Sequence, residues 1–544
     1  MAEPESKTVL ARMAELDEFD GLALADVTPP LEKWWFQYPH LLKLNLLLLC
    51  GFLAQFTCGF DGSMINGMQS LPSWVAFFGN PQGAALGQLV NAINFGVIAS
   101  VFVSSQLCEW LGRRRPISVG TFLVVFGSAL QGGATTYGMF FAGRFVIGIG
   151  TGITAVAAPQ IMMECAYPLH RGKIVSLYMT QWVVGYLVAA WMTYGTFQMN
   201  SVWSWRLPSL VQAAPALLQF VLSWFVPESP RWLVYKDRVD EAVAVLARYH
   251  TPDNDPTARL VRFEMLEIQT TLEAEKLQRA SSWKEFIATK GTRKRLSILL
   301  FISYAVQLSG LGLTGYYLTK ILESIGITDA KTQLLINACQ ALFQLVCSVS
   351  FALLIDRVGR RGLITSGFTT MLVVFVIWTI CSALNQERDF ADKSLAIAVV
   401  AMVFLFQVGY QQLAVVSVPY VVETSLFSLR AKTAMLFQFC GYTASLYNGY
   451  VNPIALENIG WRYYIFAVAV LAVETVFAWW FLPETKGKGL EEIGEVFNDG
   501  ELVTGAQAIH QQRTAYYDNM ETAAPLTTAK SNAGAEVVHG EAKL

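Results

Sequence analysis

The chain is 544 residues long, 54% hydrophobic and only 15% charged, with 39 Lys and Arg against 41 Asp and Glu. Soluble domains carry roughly 25% charged residues, so the deficit points to a bilayer as solvent, and the balanced charge gives no footing for a nucleic-acid partner. The eight cysteines fall in or beside apolar runs, with no metal-ligand spacing and no disulfide framework; no metal or cofactor is expected.

The first 40 residues are polar and acidic and lack the short apolar core and cleavage site of a secretory leader, so the first apolar run is expected to direct insertion. Twelve such runs follow, at 44–66, 87–108, 117–135, 138–163, 174–196, 207–226, 296–319, 332–355, 364–384, 395–420, 432–455 and 462–482. Each approaches the ~20 residues that cross a hydrocarbon core of about 30 Å. Lipid offers no partner to backbone N–H and C=O groups, so each run must be a helix. The expected fold is an all-α membrane protein of twelve transmembrane helices, spans 1 to 12.

The short loops after spans 2, 4, 8 and 10 hold Arg113–Arg115, Arg171 with Lys173, Arg357 with Arg360 and Arg361, and Arg430 with Lys432. The loop 67–86 has no Lys or Arg. The positive-inside bias places the arginine loops and both termini in the cytoplasm. The polar insertion 227–295 reads as short amphipathic helices on the same face. The tail beyond about 499 reads as disordered.

Three landmarks recur in order. Glu109-x-x-Gly112-Arg113-Arg114 returns 247 residues later as Asp356-x-x-Gly359-Arg360-Arg361. Glu164 and Arg171 return 259 residues later as Glu423 and Arg430, and Pro227-Glu228-Ser229 returns 256 residues later as Pro483-Glu484-Thr485. One period of about 250 residues implies two six-helix halves, 42–226 and 296–482. Around them lie an amino-terminal segment 1–41, a linker 227–295 and a tail 483–544. Parallel halves of this kind place a solute site between them, near the bilayer midplane. The charged groups at the cytoplasmic helix ends are Glu109, Arg113, Arg114, Glu164, Arg171, Glu228 and Arg231 in the first half. Their counterparts are Asp356, Arg360, Arg361, Glu423, Arg430 and Glu484. They read as a latch for each half, paired when that face is closed and separated when it opens, touching no solute.

Ionisable groups within spans are costly and are functional candidates. Asp61 in span 1 and Arg144 in span 4 stand out, and pairing with each other is the natural solution. Span 8 carries Asn337, Gln340 and Gln344 at i, i+3 and i+7; span 10 offers Gln407, Gln411 and Gln412, and span 11 Asn448 and Asn452. An amide-rich face in lipid must point into protein or a watery cavity, and for any single amide an interhelical hydrogen bond is the competing reading. No nucleophile–base pair, metal spacing or phosphate loop suggests an enzyme.

Over residues 42–495 the chain resembles the sugar porter family of the major facilitator superfamily. The first half carries the likeness in Gly59-Phe60-Asp61-Gly62, Leu111-Gly112-Arg113-Arg114-Arg115-Pro116, Gly143-Arg144-Phe145, Pro168-x-x-Arg171-Gly172 and Pro227-Glu228-Ser229-Pro230-Arg231-Trp232. The second half adds Gln307-Leu308-Ser309-Gly310, Tyr316-Tyr317, Asp356-Arg357-Val358-Gly359-Arg360-Arg361 and Pro483-Glu484-Thr485-Lys486-Gly487. Ala190-Trp191-x-x-Tyr194-Gly195, Trp203-Ser204-Trp205-Arg206-Leu207-Pro208 and Val451-Asn452-Pro453-Ile454-Ala455-Leu456 are similar to the fungal lactose permease and cellodextrin branch.

The resemblance implies the major facilitator fold and a monomeric secondary carrier of a mono- or oligosaccharide in the plasma membrane, driven by protons. It also implies Asp61 and Arg144 as the proton switch, Gln307 as a sugar contact, and Tyr316 and Tyr317 as an extracellular closure. The other amides, Asn337, Gln340, Gln344, Gln411, Asn448 and Asn452, complete the expected solute cavity. The chain departs from the family pattern at Leu311-Gly312-Leu313, which lacks an amide, at Met179, where relatives place Gln or Asn, and at Val418, where many have Trp. A cavity short of two amides leaves a second reading open: a polyol, a quinate-like acid or another small metabolite as the solute. A sugar sensor that moves nothing is a third.

Overall fold

All twelve apolar runs become helical in order, and many of the helices outrun their run by a turn or so. The structure, a computed structural model, describes residues 27–199, 201–278, 283–388, 392–425, 429–486 and 497. The start of the amino-terminal segment and the tail expected beyond about 499 lie outside the described residues. Spans 1 to 5 are Pro39–Met68, Gly83–Leu111, Arg114–Gly132, Tyr137–Cys165 and Arg171–Thr196. Spans 8 to 12 are Ala330–Val358, Arg360–Glu387, Lys393–Thr424, Arg430–Ile459 and Arg462–Phe481.

Spans 6 and 7 are broken, into Trp203–Val211 with Ala213–Ser223 and Lys290–Leu308 with Leu311–Tyr316. In span 7 the break falls at Gly310, whose φ of +108° only glycine adopts without cost. Among the described residues, eight helices, those of spans 1, 2, 4, 7, 8, 9, 10 and 12, are long and apolar enough to cross a bilayer by length and composition. Span 6 is divided, and spans 3, 5 and 11 carry more polar residues, but all four pack within the same bundle.

In the first half, span 4 packs between spans 2 and 3, while span 1 lies against spans 5 and 6. In the second, span 10 packs on spans 8 and 9, span 12 on span 9, and span 11 on span 7. Helices in lipid associate through close packing rather than through expulsion of water, so small residues sit where backbones approach. Gly96 faces Gly148 between spans 2 and 4 with no room for a Cβ, and Gly367 faces Gly409 between spans 9 and 10, where an added Cβ would lie 2.8 Å from the opposing carbonyl oxygen.

The halves meet along two seams, span 2 against span 11 and span 5 against span 8, and the second piece of span 7 touches span 1. The linker forms helices Pro230–Tyr235, Val239–His250 and Arg259–Gln278, which share a small core of Trp232, Leu233, Leu246, Val261 and Met265. Its helices rest against the ends of spans 1 and 4 that lie beside the arginine motifs.

Candidate functional site

Asp61 and Arg144 form a two-pronged ion pair inside the first half. Arg144 Nη1 donates to Asp61 Oδ1 at 3.2 Å and Nη2 to Oδ2 at 3.0 Å, with the two residues 3% and 1% exposed. Two further contacts hold the pair. Arg144 Nε donates to the carbonyl of Leu89 in span 2 at 2.9 Å, and Gln212 Nε2, at the break in span 6, donates to Asp61 Oδ1 at 3.0 Å. A planar guanidinium matches a carboxylate in this way, which Lys would not. Four helices therefore meet on one titratable group.

At the arginine end, ion pairs join helices of the same half. Arg113 pairs with Glu164 at 3.0 Å and Arg360 with Glu423 at 3.3 Å. Glu228 accepts the backbone N–H of Arg113 at 2.9 Å, and Glu484 that of Arg360 at 3.0 Å and of Arg361 at 3.2 Å. Arg114 and Arg361 reach carbonyls of Ser223 and Trp479. Arg171 bonds Glu264 of the linker at 2.9 Å rather than Glu164. Arg231 lies within electrostatic reach of Glu267, and the Glu109 carbonyl accepts from Trp232 Nε1 at 2.9 Å. The side chains of Asp356 and Arg430 lie outside the described residues.

Hydrogen bonds between the halves cluster at the opposite end. Asn66 donates to Asn337 Oδ1 at 3.0 Å, Gln69 to the Tyr316 carbonyl at 2.7 Å, and the hydroxyls of Ser70 and Thr319 meet at 2.8 Å. Tyr186 donates to the Gly315 carbonyl at 3.3 Å. Asn91 and Asn94 in span 2 donate to the Leu446 carbonyl and to Ser445 Oγ in span 11, each at 3.1 Å.

Toward the arginine end the seams splay. On the inner face of span 2, Asn91 and Asn94 are buried and Ser105 is exposed; on that of span 11, Gly449 and Ser445 are buried and Gln438 is exposed. On span 5, Ala190 is fully buried, whereas Met179, three turns along the same face, is 43% exposed. The space between the halves is shut at one end and open at the other.

The expected solute residues divide into two sets. Some are already engaged. Asn448 Nδ2 donates to the Gln307 carbonyl at 2.6 Å, where the break in span 7 leaves that oxygen without its helical partner. Asn452 Oδ1 accepts from Tyr463 of span 12 at 2.7 Å, and both asparagines crowd Gly312. Tyr317 is fully buried and donates to the Gly449 carbonyl at 2.7 Å. Tyr316 bonds Ser445, and its ring faces Gly62, next to Asp61.

The others have free valence. Gln307 Oε1, Gln340 Oε1 and Gln407 Oε1 are buried without a hydrogen-bond partner, and Gln344 and Gln411 are 2% exposed. Six more amide oxygens among the described residues share that state, Asn66 Oδ1 and Gln212 Oε1 among them, so the trio is set apart by its place on spans 7, 8 and 10 rather than by lacking donors. Gln412, by contrast, accepts from Ser366 at 2.6 Å.

Sequence reasoning missed Gln212, Asn66, Tyr186 and the Asn91–Asn94 pair. The i, i+3 spacing of Asn91 and Asn94 in an apolar run was the same signal that marked span 8. Gln212 and Tyr186 carried no comparable pattern.

A family model described as sugar (and other) transporter matches residues 47–497. The chain is 28% identical over 502 residues to the MFS-type transporter oryC of Aspergillus oryzae, covering 89% of this chain and 92% of that one. It is 25% identical over 481 residues to a high-affinity glucose transporter of Kluyveromyces lactis, covering 85% and 86%. Among solved structures, the inward-open xylose transporter XylE from E. coli superposes with a TM-score of 0.68 at 20% identity, covering 83% of this chain and 99% of that chain. That likeness shows the fold: twelve helices in two six-helix halves.

Proposed function

The chain belongs to the sugar (and other) transporter family, and on that footing we propose that it is a secondary active transporter that carries a sugar in symport with protons. The observation that carries the solute class is the trio of unpartnered amide oxygens on Gln307, Gln340 and Gln407. Neutral amides, which offer both acceptors and donors without a net charge, suit a solute rich in hydroxyl groups. A relative named as a glucose transporter supports the same class.

Proton coupling is assigned to Asp61. Protonation would neutralise one side of the Asp61–Arg144 pair and release a guanidinium that also holds span 2, the helix that seals one seam through Asn91 and Asn94. A neighbour at 20% identity is titled a proton:xylose symporter. In alternating access the open arginine end faces the cytoplasm, both termini lie there, and the carrier works as a monomer in the plasma membrane. The expected latch, paired when that end is closed and separated when it opens, is not how these pairs stand: they are formed with that end open and join helices of the same half, so they brace each half as it rocks.

A second reading keeps the carrier and changes the solute to a polyol, a quinate-like acid or another metabolite. The exposed Met179 and the amide-free Leu311-Gly312-Leu313 favour it. The test is uptake by proteoliposomes holding the full chain, offered labelled sugars, polyols and acids with and without a pH gradient. Gradient-stimulated sugar uptake is expected. Uptake confined to polyols or acids establishes the second reading, and binding without uptake of any solute overturns both in favour of a sensor.

A further inference from the structure

His250, the last residue of the linker helix Val239–His250, has an acceptor in front of each ring nitrogen. Nε2 lies 3.2 Å from the carbonyl oxygen of Cys165, and Nδ1 lies 2.6 Å from Glu264 Oε2 on the next linker helix. Glu264 Oε1 takes Nη2 of Arg171 at 2.9 Å, and Arg171 Nε donates to the Ala166 carbonyl at 3.3 Å. His250 and Glu264 are 3% and 1% exposed, so water does not supply the missing hydrogens.

A neutral imidazole has one N–H. This geometry uses two, one toward the carbonyl and one toward the carboxylate. The pair therefore holds one proton more than a neutral ring beside a carboxylate, whether that proton rests on Nδ1 or on Oε2. The other groups facing the ring are the Arg171 guanidinium, the edge of Tyr167 at 5.7 Å and His40 of span 1, and Glu267 lies beside Glu264.

The contact falls on a mechanically important junction. Cys165 ends span 4, and its carbonyl is one of the four that a helix leaves without an internal partner. A cation there is favoured by the helix dipole. Span 4 also carries Arg144, and Glu164 beside Cys165 holds Arg113. Arg171 opens span 5. One buried proton thus ties two linker helices to the turn between spans 4 and 5.

We propose that His250 and Glu264 form a proton-dependent clasp that fastens the linker to the span 4–span 5 junction and loosens as the pH on that face rises. Removing the proton leaves the ring one N–H for two acceptors, so either Glu264 Oε2 or the Cys165 carbonyl loses its donor and that contact becomes repulsive. The clasp depends on the linker geometry alone and holds whatever the solute is.

The test is hydrogen–deuterium exchange of the full chain in detergent between about pH 5 and 8, the range in which an ordinary imidazole titrates, corrected for the pH dependence of intrinsic exchange. Protection of peptides from 239–278 should fall about tenfold as pH rises, the scale of one charge-assisted hydrogen bond. His250→Gln, which cannot titrate, should flatten that response. Glu264→Gln, whose amide can donate to a neutral ring, should keep the linker protected at high pH and guards against a folding defect in the first variant. Protection that does not change with pH in the wild type, or that changes equally in both variants, overturns the clasp.

Discussion

The carboxylate of Glu228 fills the space that a side chain on Gly112 would need. From there it accepts the N–H groups of Arg113 and Arg114 at 2.9 and 3.4 Å, at the start of span 3. Glu484 stands in the same relation to Gly359, 2.9 Å from where its Cβ would be, and caps span 9. Both glycines have positive φ, +92° and +94°. Burial pushes the Glu228 carboxyl above the usual range, while the N–H groups of Ser229, Arg113 and Arg114 pull it back. Two motifs more than a hundred residues apart in each half are the two sides of one contact.

Gly112→Ala and Gly359→Ala should each destabilise the protein by at least about 2 kcal/mol, since a positive φ alone costs a non-glycine residue about 1–3 kcal/mol and the carboxylate must also move. Thermal unfolding of the purified protein measures this. Gly138→Ala, at a position with nothing within 4 Å, is the control and should be close to neutral. A similar loss in all three would refute the contact as the cause.

Asp61→Asn should abolish the stimulation of uptake by a pH gradient while leaving solute exchange at equal pH. It should also lower stability, because removing one charge of a buried pair leaves the other uncompensated, at a cost of about 3–5 kcal/mol. Adding Arg144→Gln should restore part of that stability. A gradient response that survives Asp61→Asn would sink the coupling assignment.

Gly449→Val should wedge the closed seam apart. An added Cβ there collides with the Asn91 side chain, so the carrier should shift toward the form that opens at the far end. The label rate of a Met179→Cys variant from the arginine side should then fall several-fold on adding Gly449→Val. An unchanged rate means that the seam does not gate access.

Gln340→Leu and Gln407→Leu should raise the KM for the transported solute by about tenfold or more, the effect of one lost hydrogen bond in a buried site, with little change in thermal stability. Asn452→Leu should do the reverse, because its amide already serves Tyr463. Equal effects on KM from all three would show that the two sets are not distinct.

The twelve spans were legible because lipid leaves the backbone one solution, and a run of apolar residues records it directly. The repeat was legible for a similar reason: the ends of equivalent helices need the same glycine, arginines and glutamate. The break in span 6 at Gln212 was masked by the continuous apolar run, although Pro208 and Pro215 flank it. The Asp61–Arg144 pair could be expected from two lone charges, but not the attachment of that pair to Leu89 and Gln212.

The amides mark the boundary of what a sequence can say. An asparagine on a span must find a partner, and composition records that need without naming the partner. Asn448 and Asn452 turn to spans 7 and 12, Asn337 to the far seam, and Gln340 and Gln407 keep an oxygen free. By itself the sequence determined twelve helices, two halves, one buried ion pair and a polar interior, because each follows from the cost of burying charge and backbone in lipid. Only the tertiary structure decided which amides are spent on holding helices together and which keep an oxygen without a donor, because that choice depends on distances between helices that lie far apart along the chain.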